Sequence, residues 1–224
     1  MVNRRQSIFI LIIYFIIYAL PSVLVTAFHQ LGAQVFVIQT VDYLVGAILL
    51  IWLASRMRTK NVVEKQPSNW FMTFIWGLIG LVLVIVGQVI ILKMTALLGQ
   101  STPSTNTTTL LTVGQQYPAF FLAIIVGAPI MEEIVFRKVI FGNLSAVTGQ
   151  IGAALISSVL FSFAHADGHF ILYAFIGLLF CWLYQHTGRI QTSMTAHILM
   201  NASVVLLSLI HISEPTRPIS IGYA

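Results

Sequence analysis

Apolar residues run along this chain in long stretches with few polar interruptions, at 8–28, 34–55, 70–98, 119–141, 150–166, 170–186 and 190–210. A helix rises about 1.5 Å per residue, so stretches of roughly twenty residues match a hydrocarbon layer about 30 Å thick. The pattern predicts an all-α fold, a polytopic transmembrane helix bundle with about seven helices. The first stretch follows Arg4 and Arg5 as a signal peptide would, but its length, Pro21 and the six stretches after it mark it as a retained helix. The longest polar interval, 100–116, is uncharged and rich in Ser and Thr, and is expected to be a flexible connector. The triplet Asn106-Thr107-Thr108 inside it reads as a chance glycosylation pattern.

Composition supports the same class. Of 224 residues, 58% are hydrophobic and 8% charged, against about 25% charged in an ordinary soluble domain, which excludes a soluble globule. The net charge of +5 comes from eleven Lys or Arg and six Asp or Glu, too sparse for a nucleic-acid-binding face. These cations instead mark topology. Arg4 and Arg5 precede the first span, Arg56, Arg58, Lys60 and Lys65 separate the second from the third, Arg137 and Lys138 end the fourth, and Arg189 separates the sixth from the seventh. Lys and Arg stay on the cytoplasmic side, so the expected N-terminus is cytoplasmic. The single cysteine, Cys181, permits no disulfide framework within the chain and sits in an apolar stretch, where it reads as a small buried hydrophobe.

Ionisable side chains at membrane depth cost roughly 2.5–3.5 kcal/mol each on insertion scales, so each is a candidate for function. Lys93 lies near a span end and can snorkel to the interface; Asp42 stands alone in the second span. The fourth span carries more, reading APIMEEIVFRKVIFG from Ala128 to Gly142. Adjacent helical residues point about 100° apart, so Glu132 and Glu133 cannot face one cavity together. Glu133 and Arg137 have the favoured i,i+4 order of a helical ion pair, leaving Glu132 for the cavity, while Pro129 weakens the helix just before it. The fifth span ends with Phe161 and His165 on one face, and the seventh carries His197 and Asn201 at the same spacing.

Motifs of other membrane hydrolases are absent from the sequence: there is no HExxH and no GxSxG, and Asp42 and Asp167 do not form a paired aspartate site. Glutamate and histidine remain. Glu132 backed by His165 can deprotonate a water, and His197 with Asn201 can donate hydrogen bonds to the oxyanion of a tetrahedral intermediate. The same Glu132, His165 and His197 also make a possible three-ligand zinc site. A non-enzymatic reading is a proton-coupled carrier or an immunity scaffold, since proton relays use intramembrane Glu and His too.

Three ordered motifs, EExxxR at Glu132, Glu133 and Arg137, FxxxH at Phe161 and His165, and HxxxN at His197 and Asn201, resemble those of the CPBP family. These are CAAX protease and bacteriocin-processing (Abi) intramembrane endopeptidases, and the resemblance runs from about Ala119 to Asn201. It implies that Glu132 and His165 activate water, that His197 and Asn201 stabilise the oxyanion, and that Glu133, Arg137 and Phe161 shape the site. It also implies a peptide or lipidated protein substrate within the bilayer, no obligatory cofactor with zinc as the alternative, a bacterial plasma-membrane location, and roles such as bacteriocin processing or self-immunity. On this basis 1–118 are N-terminal spans and loops and 119–206 the catalytic core. From Leu207 the chain reads LSLIHISEPTR, which looks like translated library adapter. Residues 207–224 are therefore expected to be a non-native tail, with one more helix lost beyond it. One expectation conflicts with the site: a straight helix from Gln150 carries His165 about 22 Å along its axis, away from Glu132 and His197. The 150–166 helix should therefore be tilted, displaced or interrupted.

Overall fold

The computed structural model describes residues 4–57, 60–99 and 105–213, and among these the only regular structure is helical. The long helices are α1 (Arg4–Ala27), α2 (Gln34–Ser55) and α3 (Trp70–Leu97), then a shorter α4 (Thr105–Gln116). An irregular helix, α5, follows over 120–141, and then α6 (Gly142–His165), α7 (Phe170–Thr187) and α8 (Ile190–Ser213). Residues 214–224 of the expected non-native tail lie outside the described residues. Five helices are long and apolar enough to cross a membrane: Arg5–Ala27, Gln34–Ser55, Trp70–Leu97, Phe170–Thr187 and Ile190–Leu207. The expected spans at 119–141 and 150–166 are helical as well, the first carrying four ionisable groups and the second only as long as the segment after a break at Gly149.

The outer faces of α1 and α3 expose Phe9, Phe15, Phe71, Phe74, Val82 and Ile90. A water-soluble surface does not tolerate so continuous an apolar face, whereas lipid does. Helices in lipid gain little from burying apolar surface against each other, so close approach and small residues hold them. A Cβ at Gly177 of α7 would come within 2.8 Å of Ser158 Cα on α6, and one at Gly127 of α5 within 3.2 Å of the Tyr43 backbone on α2.

The polar loops gather at one end. Gln6 donates to Arg56 O, Asn61 to the Tyr184 hydroxyl, Lys138 to Glu64, Asn143 to Ser7, Gln185 to Gln150 and Arg189 to Ser68 O. The end carrying the positive charges is thus also the end that is cross-linked. At the opposite end the segment expected to be a flexible connector is helical over Thr105–Gln116. Its Leu110, Leu111 and Val113 pack on Phe120, Ala123, Ile124 and Val205, and that apolar contact orders a sequence otherwise built for a loop.

The 150–166 helix, expected to be tilted, displaced or interrupted, is preceded by a break at Gly149, whose φ of +73° turns the chain between the two parts of α6. Glycine alone takes that conformation without strain. At the far end of α6, Ala166 is in the left-handed helical region with φ +47°, where a Cβ costs roughly 1–2 kcal/mol. Two substitutions should therefore act in opposite directions on thermal unfolding of the purified protein in detergent. Gly177→Ala should destabilise by about 1–3 kcal/mol through overpacking against Ser158, and Ala166→Gly should stabilise by up to about 1 kcal/mol.

Candidate active site

Helix α5 builds the site, and its backbone explains how. Residues Ala123–Gly127 and Glu133–Phe141 are wound as π-helix, with Ala128–Glu132 between them in α-helix. The N–H of Ala128 reaches back to Ala123 O. Ile124 O would next be served by residue 129, but Pro129 has no N–H to give. The side chain of Asn201 on α8 fills this gap, donating from Nδ2 to Ile124 O at 2.8 Å. Ser157 on α6 likewise donates to Phe136 O, at 2.6 Å. The irregular turns are held open by side chains of neighbouring helices, and π-turns of this kind recur at functional sites.

Glu133 and Arg137 are fully buried, with Nε 3.4 Å from Oε2. The guanidinium also lies 4.3 Å from the Phe161 ring centroid, 5.3 Å from that of Phe180 and 6.0 Å from that of Phe136. An aromatic cage attracts a desolvated cation through the negative faces of the rings, and Phe161 is the ring nearest to it. The other oxygen of Glu133, Oε1, lies 3.0 Å from His197 Nδ1. A carboxylate oxygen only accepts, so Nδ1 carries the proton and donates. His197 Nε2 then faces Glu132 Oε2 at 3.7 Å. Arg137, Glu133, His197 and Glu132 form one line of alternating charge, from a sealed interior to a carboxylate that keeps 18% of its side chain exposed.

That exposed carboxylate opens into a cavity of about 630 Å³ whose lining includes Glu132, Phe161, His165, His197 and Asn201. All four residues expected to do chemistry therefore share one space, although α5, α6 and α8 each deliver them separately. His165 sits a turn beyond Phe161 and is stacked on Tyr173, with ring centroids 3.9 Å apart. Its Nδ1 lies 2.9 Å from Phe161 O; a carbonyl accepts, so Nδ1 is the donor and a neutral His165 presents an unprotonated Nε2. Tyr173 is anchored in turn by donating to Asp167 at 2.9 Å. Among the described residues no hydrogen bond or ion pair joins His165 to Glu132; the imidazole beside Glu132 is that of His197. Asp42, Lys93 and Cys181 do not line the cavity. Among the described residues no three His, Cys, Asp or Glu side chains converge as metal ligands.

Sequence reading missed several wall residues: Tyr14 and Tyr18 of α1, Gln39 and Tyr43 of α2, and Gln88 of α3. The first two pairs have the i,i+4 spacing of a shared helix face, a signal present in the sequence but weak without knowing which faces meet.

Comparisons with known proteins bear on the family of the chain. The model of the type II CAAX prenyl endopeptidase Rce1-like family matches residues 114–203, the segment from the end of α4 into α8 past His197 and Asn201. The chain is 33% identical over 229 residues to the membrane-embedded CAAX protease MroQ of Staphylococcus aureus, covering 94% of this chain and 92% of that protein. The chain belongs to the Rce1-like, or CPBP, family of membrane proteases. A candidate membrane peptidase of Bacillus subtilis, YdiL, is 34% identical over 176 residues, which is 77% of this chain and 70% of YdiL. No solved structure matches the chain significantly. Within this family fold, Asn201→Ala should destabilise by about 1–3 kcal/mol, the usual cost of stranding a buried acceptor, here Ile124 O. The Pro129→Ala, Asn201→Ala double variant should unfold at a higher temperature than Asn201→Ala alone, because residue 129 then has an N–H to offer.

Proposed function

We propose that the cavity hydrolyses peptide bonds of membrane-associated or lipidated substrates by direct activation of water, with Glu132 as the base. The observation that carries this reading is the division of labour between two neighbouring carboxylates. Glu133 is consumed by Arg137 and His197, whereas Glu132 reaches the cavity with no cation of its own other than a protonated His197. Glu132 takes a proton from water while the water oxygen adds to the carbonyl carbon; His165, presenting Nε2 on the same cavity, helps to hold that water. The resulting oxyanion accepts hydrogen bonds from His197 and from the second N–H of Asn201, whose first is spent on Ile124 O. With Nδ1–H given to Glu133, a donating Nε2–H means the imidazolium form, which Glu133 and Glu132 flank on either side. The carbon–nitrogen bond then breaks as Glu132 returns its proton to the leaving amine, so no covalent enzyme intermediate forms.

Zinc is the alternative activator, but among the described residues no three His, Cys, Asp or Glu side chains converge, and Asn is a poor zinc ligand. The enzyme acts from the bilayer, with the basic loops and the N-terminus on the cytoplasmic side by the distribution of Lys and Arg.

Cleavage of a library of lipidated and membrane-embedded peptides by purified protein tests the assignment. Glu132→Gln is nearly isosteric and should abolish turnover while leaving the melting temperature unchanged. Glu133→Gln should instead lower stability by about 3–5 kcal/mol, because Arg137 is left without its counter-charge in a sealed site. Full activity in Glu132→Gln would remove the base from this residue. Exhaustive dialysis against chelator should leave activity intact; stoichiometric zinc, with activity lost on its removal and restored on its return, would overturn the metal-free mechanism.

A further inference from the structure

His165 is the last residue of α6, and the chain leaves the helix through Ala166 in the left-handed region. The following residues do not continue the helix, so its side chain depends on other contacts for a fixed orientation. One is local, the approach of Nδ1 to Phe161 O at 2.9 Å. A single hydrogen bond fixes one point of a ring and leaves the ring able to swing about the line joining donor and acceptor. The plane of the imidazole is set instead from α7, where the Tyr173 ring lies at a centroid distance of 3.9 Å and an interplanar angle of 25°. Aromatic faces attract in near-parallel contact, and a flat contact resists rotation of either ring.

Tyr173 is in turn fixed along its own length. Its hydroxyl donates to Oδ2 of Asp167 at 2.9 Å, the backbone N–H of His169 donates to Oδ1 at 3.2 Å, and His169 Nδ1 lies 3.6 Å from that same oxygen. Asp167 keeps 3% of its side chain exposed. A carboxylate buried to that degree is costly unless its oxygens are bonded, so the phenol and the loop that satisfy it are tied together. The turn is braced on both flanks as well: Ser162 donates to Phe170 O at 2.7 Å, joining α6 to α7, and Tyr18 of α1 donates to Ala164 O at 3.2 Å. His165, His169 and Tyr173 line the cavity, whereas Asp167 bonds to them from outside that lining.

We propose that Asp167 and Tyr173 are positioning residues for His165: the carboxylate sets the phenol, the phenol sets the plane of the imidazole, and Nε2 is kept on the cavity. Their effect on turnover rests on His165 holding the attacking water, as proposed above, but the positioning itself does not. Two measurements separate the two. In protein reconstituted in lipid nanodiscs with isotope-labelled histidine, the His165 resonances, assigned by their loss in His165→Gln, report which nitrogen of the neutral imidazole carries the proton. Wild type and Tyr173→Phe, which keep the ring, should show a single Nδ1–H form, and Tyr173→Leu a mixture with Nε2–H. In cleavage of the best library peptide, Tyr173→Leu should lower kcat about a hundredfold with KM changed by less than about twofold, the signature of a misplaced group. Tyr173→Phe should recover most of that, to within about fivefold of wild type. Because Tyr173→Phe and Asp167→Leu remove the same hydrogen bond, the second substitution should cost nothing beyond the first. An unchanged single Nδ1–H form in Tyr173→Leu, or additive losses from Tyr173→Phe and Asp167→Leu, would overturn the proposal. If Tyr173→Leu does not fold, the Tyr173→Phe and Asp167→Leu pair decides alone, and wild-type kcat in Tyr173→Phe overturns it. If the wild type cleaves nothing, the protease reading fails, and the resonances still decide the positioning.

Discussion

A guanidinium buried among aromatic rings in the middle of a membrane bundle is the constraint on which the rest of this structure depends. Arg137 has none of its side chain exposed, and among the described residues its ion-pair partner is Glu133, four residues away on the same helix. Leaving such a charge uncompensated would cost several kcal/mol, so Glu133 must remain ionised and in place. Phe161 on α6 and Phe180 on α7 close over the cation, and His197 on α8 takes the remaining oxygen of Glu133. One ion pair thereby fixes the relative positions of four helices, and its satisfaction is what leaves Glu132 as the carboxylate that water can reach.

The backbone of α5 is adapted to the same end. Two π-helical stretches alter the phase at which its side chains emerge, and the carbonyls within them are satisfied from outside by Asn201 and Ser157. Asn201 consequently has a double attachment: one N–H supports the helix that bears Glu132, and the rest of the amide faces the cavity. One side chain therefore couples the fold of α5 to the cavity that Glu132 lines. The family relationship with membrane CAAX proteases fits this architecture, since hydrolysis inside a bilayer needs polar groups that are paired until substrate arrives and a cavity that admits water without flooding the core.

The two ends of the bundle divide the remaining work. Hydrogen bonds and ion pairs from Gln6 to Arg189 tie the basic loops together. The cavity occupies the other end, where α4 contributes wall residues and packs through Leu110, Leu111 and Val113.

The sequence alone determined the helical class, the approximate spans and the identity of Glu132, Glu133, Arg137, Phe161, His165, His197 and Asn201 as a set, because charged and amide groups in apolar stretches are too costly to be incidental. It also determined the Glu133–Arg137 pair, whose spacing lies within one helix. It did not determine that α4 is a helix, since the contacts that order it come from residues 120–125 and 205. Nor did it determine that His197 bridges both glutamates while His165 stands apart on Tyr173, or that Asn201 completes the hydrogen bonding of a turn emptied by Pro129. Those arrangements join residues 64 and 77 positions apart. Helical periodicity says which residues share a face of one helix; which faces meet, and at what height, is decided only when several helices pack around one buried charge.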